Sequence, residues 1–386
     1  MLQQTTLEAR ESRKAVTEER AGANRRHLPY DEWMKSTGLP VYTGHFVADP
    51  RALEVGPWPE RGINAAFIQL MGMEGVCEAR VTEIPPGGTS EPLKLGFSEI
   101  VYVVDGQGLT TVWAADGPKK TFEWQKSSLF ILPRNCWHQF SNARGDRPAR
   151  LLHYNHFPLA LSAIPDLRFY FNGPMEEPNL LYPQDGEDFY AEAKMVTREV
   201  PGGRRGEGVS WTAHFIPDMS AWDNFIPMWD RGAGGYTIGI QFPGVDMNCH
   251  MSVFDPQLYK KAHKHGPGRV IVIPKGDGYS VLTPGPGVPG ERAVCPWQEG
   301  SLFVPPDNWY HQHFNLGSEP ARYLALHALP QFSGNPYRHQ IEYNFEDPWV
   351  REYFEGELAK RGLKSKMPQE CYEVPNYQWD YGEDAS

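Results

Sequence analysis

A chain that repeats itself must fold each copy alike, and this one repeats at a distance of about 170 residues. A shift of 170 lays Glu60-Arg61-Gly62 over Asp230-Arg231-Gly232, Pro86 over Pro256, and Gly106-Gln-Gly108 over Gly276-Asp-Gly278. A three-residue insertion in the second copy moves the register to 173. There Leu129-Phe130 meets Leu302-Phe303, Asn135 meets Asn308, His138-Gln139 meets His311-Gln312, and Asn142 meets Asn315. Pro148-Ala-Arg150 falls on Pro320-Ala-Arg322 at a shift of 172. Each copy is built of short apolar or alternating runs, such as 66–70, 100–104, 236–240 and 270–273, parted by Gly/Pro turns. The 38 glycines and 35 prolines are scattered between those runs, as in a turn-rich β protein. The pattern predicts an all-β chain of two tandem double-sheet jelly-roll barrels with short peripheral helices.

A length of 386 residues is ample for two such units. We divide the chain into an N-terminal arm and edge segment (1–56), a first barrel (57–156), a connection (157–226), a second barrel (227–330) and a C-terminal extension (331–386). Residues 1–27 are polar and charge-mixed, a frayed helix or a disordered arm. The connection, rich in turn signals, is expected to drape over a barrel. In the extension a short helix is expected from Trp349, with Val350, Tyr353, Phe354 and Leu358 on one face.

Composition excludes several classes of partner. The formal charge is −11 and no basic block occurs, which argues against nucleic acid and against an anionic membrane. No apolar run approaches the about 20 residues of a membrane span, and the N-terminus lacks the apolar core of a secretory signal. The five cysteines are odd in number and form no C-x-x-C pair, which points to free thiols in a reducing compartment. A cytoplasmic location is the expectation.

The chemistry gathers between His263 and Asn315. In a strand, His263 and His265 project to one side. If the runs 270–273 and 302–304 lie side by side, His311 completes three imidazoles on one metal ion. Three neutral nitrogen donors with positions left open is a catalytic rather than a structural set. The repeat supplies an internal control: Leu93, Leu95 and Glu99 stand where the second copy has His263, His265 and Arg269. Two leucines coordinate nothing, so only the second barrel should hold metal. Glu99 and His138 remain there as a pair for proton transfer or as a structural hydrogen bond.

These residues resemble the bipartite signature of the cupin superfamily. His263, His265 and Gly276 match its first motif, with Arg269 at the place of the glutamate. Pro306, His311 and Asn315 match its second, with Asn308 replacing a glycine. The resemblance implies a two-barrel cupin, a bicupin. Three-histidine cupin sites without the glutamate are typical of ferrous dioxygenases, including the two-barrel gentisate and salicylate ring-cleaving enzymes. It therefore implies one Fe(II) per chain, with Mn, Ni or Zn as other occupants, and cleavage of a carbon–carbon bond in a small, anionic, chelating substrate by molecular oxygen. It also implies a homo-oligomer, since cupin barrels often pair edge to edge. The alternatives are a non-redox metal enzyme (a decarboxylase, isomerase or hydrolase) and a non-catalytic ligand-binding bicupin.

Around the triad, Arg269 is a candidate for gripping a substrate carboxylate, its other reading being a salt bridge to a buried acid. His313, on the same face as His311, is a candidate acid or base or a plain core histidine. Trp309 and Tyr310 either wall the substrate or simply pack. His138, His153 and His250 are read as structural.

Overall fold

The computed structural model describes residues 28–115, 117–176, 188–190, 192–198, 208–229, 231–285, 292–332 and 339–381. The arm at 1–27 and parts of the connection lie outside the described residues. The remainder is two tandem double-sheet β-barrels with short helices at the periphery. In the first, the strands Ile63–Leu70, Glu78–Ile84, Ala149–Asn155, Glu99–Asp105 and Leu129–Leu132 form one sheet. Leu93–Lys94, Trp137–Asn142, Gln107–Trp113 and Lys120–Gln125 form the other. The second barrel repeats this plan. Tyr236–Gln241, Asn248–Phe254, Ala321–Leu326, Val270–Lys275 and Leu302–Phe303 stand against Ala262–His263, Tyr310–Asn315, Gly278–Thr283 and Ala293–Trp297.

Alternation sorts the side chains of these strands. Along Lys120–Gln125 burial runs strictly in, out, in, out, whereas Glu99–Asp105 is buried at all but its last residue. The difference follows from position, because Glu99–Asp105 lies in the sheet that faces the second barrel. One apolar cluster contains Val81, Ile100, Tyr102 and Leu152 together with Ile238, Met251, Val272 and Leu324, so the larger sheets of the two barrels share a core. Polar contacts fasten the same interface. Tyr154 donates from its hydroxyl to the Gly268 carbonyl at 2.7 Å, and the Gly268 amide donates to Gly72 at 2.7 Å. His156 Nε2 lies 3.2 Å from the His327 carbonyl.

The barrels also exchange strands. Phe46–Val47, ahead of the first barrel, pairs with Leu302–Phe303 of the second, and Phe215–Ile216, ahead of the second, pairs with Leu129–Phe130 of the first. The two arms are themselves a repeat, Thr43-Gly-His-Phe46 against Thr212-Ala-His-Phe215. Each copy is thus completed by the segment preceding the other. The C-terminal helix Pro348–Lys360 begins where the Asp347 carboxylate accepts from the Trp349 amide at 3.0 Å. It buries Val350, Phe354 and Leu358 on one face, against Tyr259, Tyr279 and Phe314.

All five cysteines are buried and none is in a disulfide. Among the described residues no helix is long and apolar enough to cross a membrane.

Two glycines at the starts of strands show how the repeat is enforced. A Cβ on Gly108 would lie 2.2 Å from the Ser141 carbonyl oxygen and 2.4 Å from Trp124, and one on Gly278 would lie 2.0 Å from the Phe314 carbonyl oxygen and 2.6 Å from Trp297. Both glycines permit a strand and an indole to close on the backbone. Gly278→Ala should therefore lower stability by about 1–3 kcal/mol in urea unfolding. Gly145→Ala, whose Cβ meets nothing within 4 Å, should leave it nearly unchanged.

The His156 contact gives the fold a pH dependence. Burial pushes the pKa of His156 down to about 4, outweighing its bond to the His327 carbonyl. The unfolded chain, with an ordinary histidine near pKa 6.5, then binds the proton more readily. Between about pH 6.5 and pH 4 stability should fall with pH, and the slope should be shallower in His156→Gln, as read by denaturant midpoints.

Candidate metal centre

The triad is assembled by strand register. His263 pairs directly with His311, across the antiparallel strands Ala262–His263 and Tyr310–Asn315. The strand carrying His263 ends there, so His265 is not its second residue on a continuous strand. The Asn308 amide, donating to the His265 carbonyl at 3.0 Å, holds that segment instead. Asn308 has φ +58°, and its counterpart Asn135 has φ +60°. The turn thus needs the left-handed region, which asparagine tolerates better than most residues, so asparagine can stand where the cupin motif has glycine.

The three rings lie with centroids 4.1 Å (His263–His311), 4.6 Å (His265–His311) and 5.6 Å (His263–His265) apart. One nitrogen from each falls within 4.8 Å of the others, and the group contains no carboxylate. All three side chains are buried.

Their hydrogen bonds test whether an ion fits. His265 Nδ1 is 2.8 Å from the Gly266 carbonyl, which takes its proton and leaves the lone pair on Nε2. That Nε2 is buried and has no hydrogen-bond partner. A buried polar atom left this way is costly unless something else satisfies it, and a cation does. His311 Nδ1, 3.4 Å from the Trp309 carbonyl, is oriented in the same sense. His263 differs. Its Nδ1 lies 2.6 Å from Nη2 of Arg231, which can only donate, so in the neutral ring the proton sits on Nε2. Coordination through Nδ1 requires Arg231 to leave, and coordination through Nε2 requires that proton to leave. The donor set fits a first-row divalent cation, with Arg231 competing at one of the three positions.

Arg231 is among the largest fully buried side chains, and its Nη1 donates to Gln340 at 2.9 Å. No motif marks it as a site residue, although the repeat aligns it with Arg61. A second cation lies close by. Burial, then the charge of Arg269, then His311 hold the His265 pKa well below the usual histidine range. Arg269 is itself buried, in the turn before Val270–Lys275. The centre therefore sets three imidazoles beside two guanidinium groups.

Farther into the barrel, the His313 ring lies 5.5 Å from that of His311 and 4.6 Å from that of Tyr323, with Nδ1 2.9 Å from Ser280 Oγ. Burial first, then His311 and the charges of Lys260 and Arg231, keep it neutral. Lys260, fully buried, reaches Ser252 and lies 3.4 Å from the Tyr323 hydroxyl. Burial alone would raise the Tyr323 pKa, but the charges of Lys260 and Arg231 outweigh it and bring it below the ordinary value. His250 Nδ1 lies 2.6 Å from His327 Nε2. Trp309 and Tyr310 are half-buried. The Trp309 ring packs 5.6 Å from His45, and the Tyr310 ring lies under the Lys264 ammonium at 5.1 Å.

In the first barrel the equivalent positions are apolar: Leu93 and Leu95 are buried. Glu99 and His138 do not pair. The Glu99 oxygens are taken by Arg80 at 2.8 Å, His153 Nδ1 at 2.6 Å and Asn155 at 2.8 Å. Burial works against the Glu99 carboxylate, but Arg80 and His153 hold it well below the usual range.

No family model matches the sequence, and no curated protein matches it. Among solved structures, the chain is similar to oxalate decarboxylase from Bacillus subtilis at pH 4.6, with TM-score 0.45 and 12% identity over 86% of this chain and 85% of that one. It is also similar to the formate complex of Lactobacillus farciminis oxalate decarboxylase, with TM-score 0.45 and 15% identity over 80% and 90%.

Two substitutions separate the parts of the centre. His311→Ala should abolish stoichiometric divalent-metal binding, measured by elemental analysis of protein purified without a histidine tag. Arg231→Leu removes a cation and a competitor together, and chelator competition should show metal bound about tenfold tighter or more.

Proposed function

We propose that this protein is a metal-dependent enzyme acting on a small carboxylate substrate, with a divalent transition-metal ion held by His263, His265 and His311. The observation that carries the proposal is the buried, carboxylate-free imidazole cluster flanked by Arg231 and Arg269. A dication beside two guanidinium groups in a water-poor interior needs anions among them, and a carboxylate-bearing substrate supplies them. Arginine suits that role because its planar fork matches a carboxylate in two-pronged geometry.

The reading we favour is non-redox cleavage, of the decarboxylase type. The metal, when bound, supplies Lewis-acid polarisation of a substrate oxygen. Arg231, released from His263, and Arg269 hold the carboxylate and fix its orientation. The burial of all these groups excludes bulk water, which strengthens each charge contact. Loss of carbon dioxide leaves an electron pair that needs a proton. Lys260, 3.4 Å from the Tyr323 hydroxyl, and His313, whose ring packs against those of Tyr323 and His311, are the candidate proton donors. Ser280, which accepts from the Trp297 indole at 3.0 Å, fixes the His313 ring.

A second reading, oxygen-dependent carbon–carbon cleavage by ferrous iron, is favoured by one feature. The ligand set lacks the glutamate, as in the ring-cleaving cupins the motifs resemble, and here Arg269 stands in its place. In that reading Trp309 and Tyr310 wall an aromatic acid.

The experiment is metal analysis followed by parallel assays of carbon dioxide release without oxygen and of oxygen uptake, over a panel of small mono-, di- and hydroxyaromatic acids. Turnover without oxygen supports the first reading, stoichiometric oxygen uptake supports the second, and protein that binds no transition metal overturns both. With a substrate in hand, Arg269→Leu should raise KM about tenfold or more while metal content stays unchanged.

A further inference from the structure

The first barrel buries charged groups at the place where the second barrel gathers its imidazoles, although two of the equivalent ligands are leucine. It holds a half-open cavity of about 30 Å³, lined by Arg61, His138, Leu93, Leu95, Trp58 and Phe171. As room for the centres of water-sized spheres, that volume holds about two waters or one small polyatomic anion.

The groups lining this cavity differ in how they are satisfied. Arg80 is taken up by Glu78 and Glu99, and Glu99 in turn by Arg80, His153 and Asn155. Arg61 has no such arrangement. Its guanidinium stands over the Trp58 ring at 5.1 Å and the Phe171 ring at 5.4 Å, and no carboxylate is hydrogen-bonded to it among the described residues. The Arg80 guanidinium shares the Trp58 ring at 5.5 Å, so two like charges flank one indole. His138 is 4% exposed, packs against Phe140 at 5.5 Å, and hydrogen-bonds through its ring to no described residue. Glu91, the remaining carboxylate at this cavity, is exposed at its mouth. A cation on an aromatic floor beside an unbonded imidazole is incompletely compensated.

We infer that the first barrel carries a binding site for a small monovalent anion, a formate-sized carboxylate or a halide, held by Arg61 and His138. The guanidinium supplies the charge and directed donors, His138 supplies one N–H, and Leu93 and Leu95 exclude a metal ion. The single formal positive charge of the pair favours a monovalent anion over sulfate or a dicarboxylate. Burial lowers the His138 pKa to about 3, so the imidazole acts as a neutral donor and Arg61 as the only formal positive charge of the pair. The site is independent of the metal centre and stands whether or not the reading of that centre holds.

The test uses the intact, chelator-treated protein with formate, chloride and sulfate as probes. Binding is followed by calorimetry and by 35Cl line broadening. Saturable millimolar binding of formate, chloride or both is expected, with sulfate, whose second charge the single guanidinium leaves uncompensated, bound more weakly. Mutual competition between formate and chloride would show that charge and size alone are recognised, and formate binding without chloride would assign a carboxylate site. Arg61→Gln should weaken binding at least tenfold and His138→Phe several-fold, whereas Arg231→Leu should leave it unchanged. His138→Phe keeps the ring volume and decides the matter if Arg61→Gln does not fold. No saturable binding of either anion, meaning a cavity that holds water only, would overturn the inference. So would unchanged binding in both folded variants, or loss of binding in Arg231→Leu alone.

Discussion

The second barrel turns on a set of buried imidazole nitrogens that the fold brings together faster than it can satisfy them. Antiparallel pairing sets His263 opposite His311, and the Asn308 turn brings His265 to the same point. The Gly266 carbonyl takes the proton of one ring nitrogen and leaves the other, Nε2, without a partner. In an interior this dry, such a lone pair is a liability that only a hydrogen-bond donor or a cation relieves. At His263 the relief is Arg231. For coordination through Nδ1 the arginine and a metal ion are alternatives for one pair of electrons, and a metal taking it would free a guanidinium next to the ion. A metal bound there would thus be coupled to the position of a single side chain.

The duplicated architecture shows what each position is for. Both copies keep the glycine that lets an indole close on the backbone, the asparagine in the left-handed turn, and a second asparagine that ties the end of a strand to neighbouring carbonyls. Asn142 donates to Arg147 at 2.8 Å, as Asn315 does to Glu319 at 2.9 Å. Those residues serve the barrel. What differs serves the interior: imidazoles in one copy, and leucines with a salt-bridged Glu99 in the other. Arg61 and Arg231 occupy the same place in both, so each copy delivers a positive charge to its centre while only one retains the ligands.

Much of this was legible in the chain. The repeat gave the two barrels and their boundary glycines because packing constraints recur with the fold. The histidine spacing brought out the triad because ligand geometry restricts residue type. Less legible were features that depend on contacts distant in sequence. Arg231 lies thirty-two positions before His263, and nothing local marks it as an interior residue. The exchanged strands at 46–47 and 215–216 are only two residues each, too short for alternation to show. Glu99 and His138 share a cavity without bonding, because Arg80, His153 and Asn155 reach the carboxylate first. All three come from Glu78–Ile84 and Ala149–Asn155, strands that pair with each other though far apart in the chain. Even the His263–His265 pair came together by a different route from a simple strand, since the strand ends at the first of them.

The most direct measurement is anomalous diffraction from a crystal of metal-loaded protein, collected at the absorption edge of the bound ion. The account predicts a single peak per chain, within coordination distance of one nitrogen each from His263, His265 and His311, with Arg231 drawn away from His263. A peak in the first barrel, or an ion held elsewhere while Arg231 stays on His263 Nδ1, would contradict it.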